Sequence, residues 1–196
     1  MTEPSELWAA LVPFLEELEE MHVSYFIGGS VASSFTGLAR ATQDADVVAD
    51  LRLAHAPPLC AALRDRYYLS EDTVLRAIKS RGSFNCIHLD TAFKIDVFTS
   101  ASTAYARQCM ARRVRLDVPE AERSLDFCAP EDIVLRKLEW YEMGRRVSER
   151  QWNDVRGVLR LQAGRLDLDY LRRWAKDLGL TELLERAFDD AREPKA

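Results

Sequence analysis

Three aspartates have the chemistry and the spacing of a site that binds metal ions and phosphates. Asp44 and Asp46 are two residues apart in the run DADVV, and Asp96 lies in the run FKIDVF. The apolar residues around them predict a strand at each place, and side chains two apart on a strand point to the same side, about 7 Å apart at Cα. A charge on such a core-like strand is costly without a partner. These carboxylates therefore suit Mg²⁺, with Mn²⁺ as the alternative.

A glycine turn precedes the aspartates. The apolar run Tyr25–Ile27 predicts a strand that stops at Gly28 and Gly29, and Ser30 then opens a short helix that Gly37 closes. A strand that ends in glycines at the start of a helix directs backbone N–H groups and the positive end of the helix dipole at one spot. We therefore expect Gly28, Gly29 and Ser30 to bind nucleotide phosphates. The alternative is that the glycines form only a tight turn between strand and helix.

Two polar residues precede the first two aspartates at the same two-residue spacing. If the predicted strand begins early, Arg40 and Thr42 line the same face as Asp44 and Asp46. We then expect Arg40 and Thr42 to take part in nucleotide binding. Arg40 as a surface residue, or as a salt-bridge partner of Asp44, is the alternative.

The ordered set resembles the nucleotidyltransferase superfamily headed by DNA polymerase β. That superfamily shows a glycine-glycine-or-serine turn, a helix, Asp-x-Asp or Asp-x-Glu on a strand, and a third acidic residue on a later strand. The form Arg40-x-Thr42-x-Asp44-x-Asp46 is most similar to the AbiEii-type branch of abortive-infection toxins. The resemblance implies that the two aspartates and Asp96 are catalytic and bind the metal. It also implies that Asp96 takes the proton from the acceptor hydroxyl.

Lys137 lies on an apolar helix face. Its neighbours three and four residues away are Ile133, Val134, Trp140 and Tyr141, which share its side of a helix. A lysine facing inward needs a partner, and a nucleotide phosphate or an active-site aspartate would serve. We expect its ammonium to reach across an interdomain cleft towards the aspartates. The alternative is that the stem packs on the apolar face and the ammonium reaches water.

The resemblance also covers this helical part. The AbiEii-type branch carries a lysine at the position of Lys137 and an aspartate further on, which Asp154 matches. The branch more often reads Arg-Asp there, whereas this chain reads Asn153-Asp154. A local helix pair between Asp154 and Arg150 is the other interpretation.

Composition and pattern predict two domains. The chain has 196 residues, of which 47% are hydrophobic and 30% charged, as in ordinary globular proteins. Strands and helices mix up to residue 129, and the pattern from Pro130 onwards is helical. We therefore predict an α+β fold: a mixed-sheet nucleotidyltransferase domain over residues 1–129 and a C-terminal helical bundle over residues 130–196.

The cysteines and the apolar runs bear on the compartment. Cys60, Cys86, Cys109 and Cys128 are widely spaced without a C-x-x-C motif, which favours free thiols in a reducing cytosol. The acidic N-terminus does not resemble a signal peptide. No apolar run approaches the ~20 residues that span a bilayer. We therefore predict a cytoplasmic location without a membrane partner.

The distribution of charge suggests an acceptor for the transferred nucleotide. The net charge is −5, and the acidic excess lies in residues 1–129. Two basic clusters stand out: Arg107, Arg112, Arg113 and Arg115, and then Arg136, Lys137, Arg145, Arg146, Arg150, Arg156, Arg160 and Arg165. A positive rim around a metal site suits a phosphate backbone, so we predict tRNA or another RNA as the acceptor. The alternative is that these arginines pair locally with glutamates on solvated helix faces.

The functional prediction is a metal-dependent nucleotidyltransferase that moves a nucleoside monophosphate from an NTP to an acceptor. The toxin-like resemblance also implies a cognate antitoxin as a partner. Three alternatives stay open at this point. They are a catalytically silent relative that senses nucleotides or binds a protein, an antibiotic-type small-molecule nucleotidyltransferase, and a metal-dependent phosphohydrolase or nuclease. A phosphohydrolase would not need a glycine cradle.

Overall fold

The computed structural model describes residues 5–37 and 42–192, and within them it has the predicted α+β architecture. The strands are β1 (Tyr25–Ile27), β2 (Asp44–Ala49), β3 (Tyr67–Tyr68), β4 (Ser83–His88), β5 (Lys94–Thr99), β6 (Val114–Val118) and β7 (Arg123–Phe127). The helices are α1 (Glu6–Glu20), α2 (Gly29–Thr36), α3 (Ala56–Leu63), α4 (Glu71–Ser80), α5 (Ala104–Arg112), α6 (Pro130–Met143), α7 (Glu149–Leu161), α8 (Leu168–Asp177) and α9 (Thr181–Arg192).

The sheet is mixed, as predicted. Its strand order is β3-β4-β5-β2-β1-β7-β6. Strand β2 runs parallel to β5, and β1 runs parallel to β7, whereas the remaining neighbours are antiparallel. Strands β4 and β5 follow one another in the chain and pair antiparallel. Strand β2 lies at the centre of the order, so its side chains have neighbours on both sides.

The two central parallel strands have one buried face and one half-exposed face. Alternate residues of β2 and β5, such as Ala45, Val47 and Ile95, are fully buried. Helix α1 packs beside these strands with its apolar stripe, including Leu11 and Leu15, inside the core. The remaining residues of the two strands lie on the half-exposed face. That face is the one that can meet a ligand.

The contacts divide the chain into two compact units. Among the residues that the structure describes, the first unit comprises 5–28 and 42–127, and the second comprises 29–37 and 128–192. Helix α2 therefore groups with the C-terminal helices, where it contacts α6 and α7, although the sequence placed it in the first domain. A Cβ on Gly37 would lie 2.7 Å from the carbonyl oxygen of Ser33 and 3.1 Å from Cγ2 of Val158. Glycine at this position permits α2 to end against α7.

Three of the four cysteines are buried. All four cysteines are free. Burial, aided by the charge of Asp96, raises the pKa of Cys86 to about 12, which excludes this thiol as a nucleophile at neutral pH. In the described ranges, every helix is too short or too polar to cross a membrane.

Candidate active site

The strand register brings two of the three predicted catalytic aspartates side by side. In the parallel β2–β5 pair, Asp46 lies opposite Asp96, and Asp44 lies opposite Lys94. Register partners on neighbouring strands are about 4.8 Å apart. All four residues occupy the half-exposed face, because the residues between them point into the core. The three aspartates thus share one patch of one face of the sheet.

A lysine that the sequence analysis did not single out sits within this patch. Nζ of Lys94 donates a hydrogen bond to Oδ2 of Asp96 over 2.7 Å and lies 3.9 Å from Oδ2 of Asp44. The hydrogen bond to Asp96 and the nearby charges of Asp96, Asp44 and Asp46 raise the pKa of Lys94. Its spacing of two residues from Asp96 was the signal in the sequence, since that spacing puts both on one face.

Thr42 orients one of the carboxylates. Its hydroxyl lies 3.0 Å from Oδ1 and 3.0 Å from the backbone oxygen of Asp44. Strand β2 begins at Asp44, so the early strand start that would align Thr42 with the aspartates is wrong. The polar Thr42 side chain instead bonds the residue two places on, as threonine does in turns. Arg40 lies outside the described residues.

The donor set fits a hard cation by its chemistry, since Asp44, Asp46 and Asp96 offer carboxylate oxygens. In the part of the chain that the structure describes, no three His, Cys, Asp or Glu side chains are arranged to hold a metal ion. The Asp96 carboxylate is instead hydrogen-bonded to Lys94. Metal binding at this patch therefore requires side-chain rotations, which are fast for partly exposed residues.

The two glycines of the turn have different roles. The N–H of Gly28 donates to the carbonyl oxygen of Asp46 over 2.8 Å, so it extends the β1–β2 ladder. This hydrogen bond occupies the group that we expected to face a phosphate. Gly29 has φ of +53°, in the left-handed region that favours glycine, and it is the first residue of α2. Phosphate binding by the N–H groups of Gly29 and Ser30 stays a prediction.

Ser30 is buried at the start of α2 and has an arginine beside it. Nη2 of Arg150 on α7 donates to Oγ of Ser30 at 3.4 Å. The sequence suggested Arg150 as a helix partner of Asp154 and as a member of the second basic cluster, but not as a neighbour of Ser30. Both Ser30 and Arg150 belong to the second unit, so a guanidinium lies next to the predicted phosphate-binding helix start within that unit.

Lys137 is buried, as its neighbours predicted, and it has a partner in its own unit. Its Nζ donates to Oδ2 of Asp154 over 2.7 Å and lies 3.4 Å from Oε1 of Gln151. The side chains of Lys137 and Asp154 are 6% and 9% exposed. The prediction that Trp140 shares the inward face is wrong, because this residue is 51% exposed. The expectation that Lys137 approaches the three aspartates stays a prediction.

Comparisons with known proteins identify the fold. No family model matches the chain, and no curated protein matches its sequence. Among solved structures, the antibiotic-resistance factor ANT(2'')-Ia in solution matches with a TM-score of 0.58 and 16% identity over 93% of this chain and 97% of that one. The crystal structure of ANT(2'')-Ia with adenylyl-2''-tobramycin matches with a TM-score of 0.56 and 15% identity over 88% and 98%.

A third solved structure supports the same conclusion. It is an antigenic nucleotidyltransferase-like protein from Paracoccidioides brasiliensis, with a TM-score of 0.52 and 15% identity over 94% of each chain. The likeness extends over almost the whole of each chain, so it includes the sheet and the helical part. The chain therefore has the fold of these nucleotidyltransferase-like proteins.

Proposed function

We propose that the protein is a metal-dependent nucleotidyltransferase that moves a nucleoside monophosphate from an NTP to an acceptor hydroxyl. The observation that carries the proposal is the β2–β5 register, in which Asp46 lies opposite Asp96 and Asp44 is two residues away on the same face. The fold shared with nucleotidyltransferase-like proteins supports it. A phosphohydrolase needs acidic residues too, but the fold favours nucleotidyl transfer.

The carboxylates would hold the metal and handle the proton. Asp44, Asp46 and Asp96 are the residues that would bind Mg²⁺ or Mn²⁺, and the Thr42 hydroxyl lies 3.0 Å from Oδ1 of Asp44. When bound, the metal supplies electrostatic stabilisation of the negative charge on the phosphates. Asp96 accepts the proton of the acceptor hydroxyl, as the resemblance to polymerase β implies.

The reaction balances in one displacement. The acceptor oxygen forms a bond with the α-phosphorus of the NTP, and the bond from that phosphorus to the bridging oxygen breaks. Pyrophosphate leaves with the electron pair of the broken bond, and the hydroxyl proton passes to Asp96. Charge accumulates on the phosphate oxygens, so backbone N–H groups and cations placed there lower the barrier.

The phosphate-binding groups proposed here come from the glycine turn and from two cations. Gly29 and Ser30 offer N–H groups at the N-terminus of α2, where the helix dipole favours an anion. Lys137 and Arg40 are proposed to neutralise charge on the nucleotide. The Lys137 ammonium is already paired with the buried Asp154 carboxylate, so the charge that it offers a nucleotide is shared with that carboxylate.

The acceptor proposed from the sequence is tRNA or another RNA, and a small hydroxyl compound is the second candidate. Three arginines of the two basic clusters pair with carboxylates: Arg113 and Arg115 with Asp126, and Arg146 with Glu142. Arginines paired in this way offer less charge to a phosphate backbone. The similar ANT(2'')-Ia was solved with adenylyl-2''-tobramycin, a small molecule that carries an adenylyl group. A toxin-like role with a cognate antitoxin stays a proposal from the resemblance.

One assay tests the function and separates the acceptors. The protein is incubated with each α-labelled NTP and Mg²⁺, in parallel with total RNA and with a panel of aminoglycosides. We expect label to appear on one acceptor class, with pyrophosphate released in equal amount. Label on RNA that falls in the double variant Arg145→Glu/Arg146→Glu supports RNA, whereas label on an aminoglycoside supports the second candidate.

Matched variants connect the activity to the patch. Asp46→Asn should lower transfer roughly 100-fold or more, since loss of even an outer-shell partner of a metal site costs about 10- to 100-fold. Asp65→Asn, an exposed aspartate of the same unit, is the control and should retain full activity. Near-normal transfer by Asp46→Asn, or RNA shortening without label transfer, would overturn the proposal.

A further inference from the structure

Lys94 is built into the carboxylate patch by the strand register. It is the first residue of β5, lies opposite Asp44 and is two residues before Asp96. The backbone therefore fixes its Cβ on the same half-exposed face as the three aspartates. This placement follows from the sheet and does not depend on one side-chain rotamer.

The ammonium of Lys94 lies within 4 Å of carboxylates from both strands. It is 2.7 Å from Oδ2 of Asp96 on its own strand and 3.9 Å from Oδ2 of Asp44 on β2. Asp46 lies opposite Asp96, so two acidic residues are register partners on neighbouring strands. Like charges directly opposite on neighbouring strands destabilise a sheet, and a cation between them reduces that cost.

A carboxylate oxygen that accepts a hydrogen bond from Lys94 is not free to bind a metal ion in the same position. Mg²⁺ binds oxygen ligands at about 2.0–2.1 Å and demands near-ideal geometry. An ammonium hydrogen-bonded to Oδ2 of Asp96 occupies one side of that ligand. Lysine can leave, because its charge is at the end of a flexible four-carbon stem and its side chain is 40% exposed.

We propose that Lys94 is the internal counter-ion of the metal-free active site, and that the metal displaces its ammonium from Asp96 and Asp44. The inference rests on the proposed function, since it needs these aspartates to be metal ligands. Lys94 is thus a positioning residue. It holds the carboxylates together before the metal arrives, and it competes with the metal for them.

The competition predicts a gain of metal affinity when the charge is removed. Mn²⁺ is titrated into the protein while free Mn²⁺ is followed by electron paramagnetic resonance. Lys94→Met should bind Mn²⁺ about two- to fivefold more tightly, the range expected for a partly exposed ion pair. Lys94→Arg keeps the charge and should bind Mn²⁺ nearly as the wild type does. Lys79→Met, an exposed lysine on α4, is the matched control.

Thermal unfolding supplies a second readout that does not involve metal affinity. In EDTA, the melting temperature of Lys94→Met should fall by about 1–3 °C, because the carboxylates lose their counter-ion. With saturating Mg²⁺ the difference should vanish, since the metal replaces the ammonium. Lys94→Gln gives a second neutral variant with a polar end.

The outcomes separate this inference from the proposed function. Unchanged or weaker Mn²⁺ binding by Lys94→Met and Lys94→Gln, with binding lost in Asp46→Asn, overturns the role of Lys94 and leaves the metal site standing. Absence of Mn²⁺ binding in the wild type and in every Lys94 variant overturns the metal site itself, and this inference falls with it.

Discussion

Each of the two compact units contains a lysine–aspartate ion pair. The N–O distance is the same in both pairs, but the exposure of the side chains differs. In the sheet unit, Nζ of Lys94 is 2.7 Å from Oδ2 of Asp96, and the side chains are 40% and 23% exposed. In the helical unit, Nζ of Lys137 is 2.7 Å from Oδ2 of Asp154, and the side chains are 6% and 9% exposed. The distance does not distinguish the pairs, but the burial does.

Burial decides what each pair can do. Water screens the attraction within a partly exposed ion pair and can hydrogen-bond to either ion in place of its partner. The ions of such a pair can therefore exchange partners at little cost in free energy. A buried pair has lost its hydration, and removal of either ion leaves the other uncompensated. The Lys94 pair is therefore suited to a site where a metal comes and goes. The Lys137 pair is suited to hold a charge in place permanently.

The largest expected effect is on the buried pair. Lys137→Met leaves the Asp154 carboxylate without its ammonium inside the helical unit. We expect the free energy of unfolding to fall by about 3–5 kcal/mol. Urea unfolding followed by circular dichroism measures this change, with Lys79→Met as the control.

A double variant distinguishes the loss of charge pairing from a packing effect of the Lys137 substitution. Lys137→Met combined with Asp154→Leu removes both charges and should recover most of the lost stability, since an apolar pair can replace a buried ion pair. A double variant as unstable as the single one would show that the charge is not the cause.

Neutralising an aspartate should have opposite effects in the two units. Asp46→Asn removes one of two carboxylates that lie opposite each other, so in EDTA it should leave stability unchanged or raise it by up to about 1 kcal/mol. Asp154→Asn leaves a buried ammonium poorly compensated and should lower stability by about 3 kcal/mol. Chemical denaturation of both variants under one buffer makes the comparison. A loss of similar size in both would remove the contrast between the units.

The smallest expected effect is the coupling within the exposed pair. A double-mutant cycle of Lys94→Met and Asp96→Asn in EDTA should give about 0.2–1 kcal/mol. Raising the salt to about 1 M should shrink this coupling, because the Debye length falls to about 3 Å. The corresponding cycle for Lys137 and Asp154 should change little with salt. Equal salt sensitivity in the two cycles would contradict the assignment of one pair as exchangeable.

Much of the fold and part of the site followed from local pattern. The sequence predicted the strand that carries Asp96, the run of helices after Pro130 and the mixed sheet, because apolar periodicity reports which face of an element is buried. It also placed Asp44 and Asp46 on one face, since side chains alternate along a strand. The apolar residues one helical turn before and after Lys137 predicted that this lysine is buried.

The tertiary structure decided the partners. Asp46 meets Asp96, and Lys94 meets Asp44, only through the register of β2 against β5, two strands about fifty residues apart in the chain. The pairing of β1 with β2 likewise decides that the N–H of Gly28 donates to the carbonyl oxygen of Asp46. Register and helix packing depend on contacts between distant segments, which local periodicity does not encode.

The same division holds for the helical unit. The sequence by itself determined that Lys137 faces inward, but only the packing of α6 against α7 gave it Asp154 as a partner. The sequence determined the short helix α2, whereas its contacts with α6 and α7 placed it in the helical unit. Hydrophobic pattern fixes which side of an element is covered, and the covering element is selected by the shape and charge of distant residues.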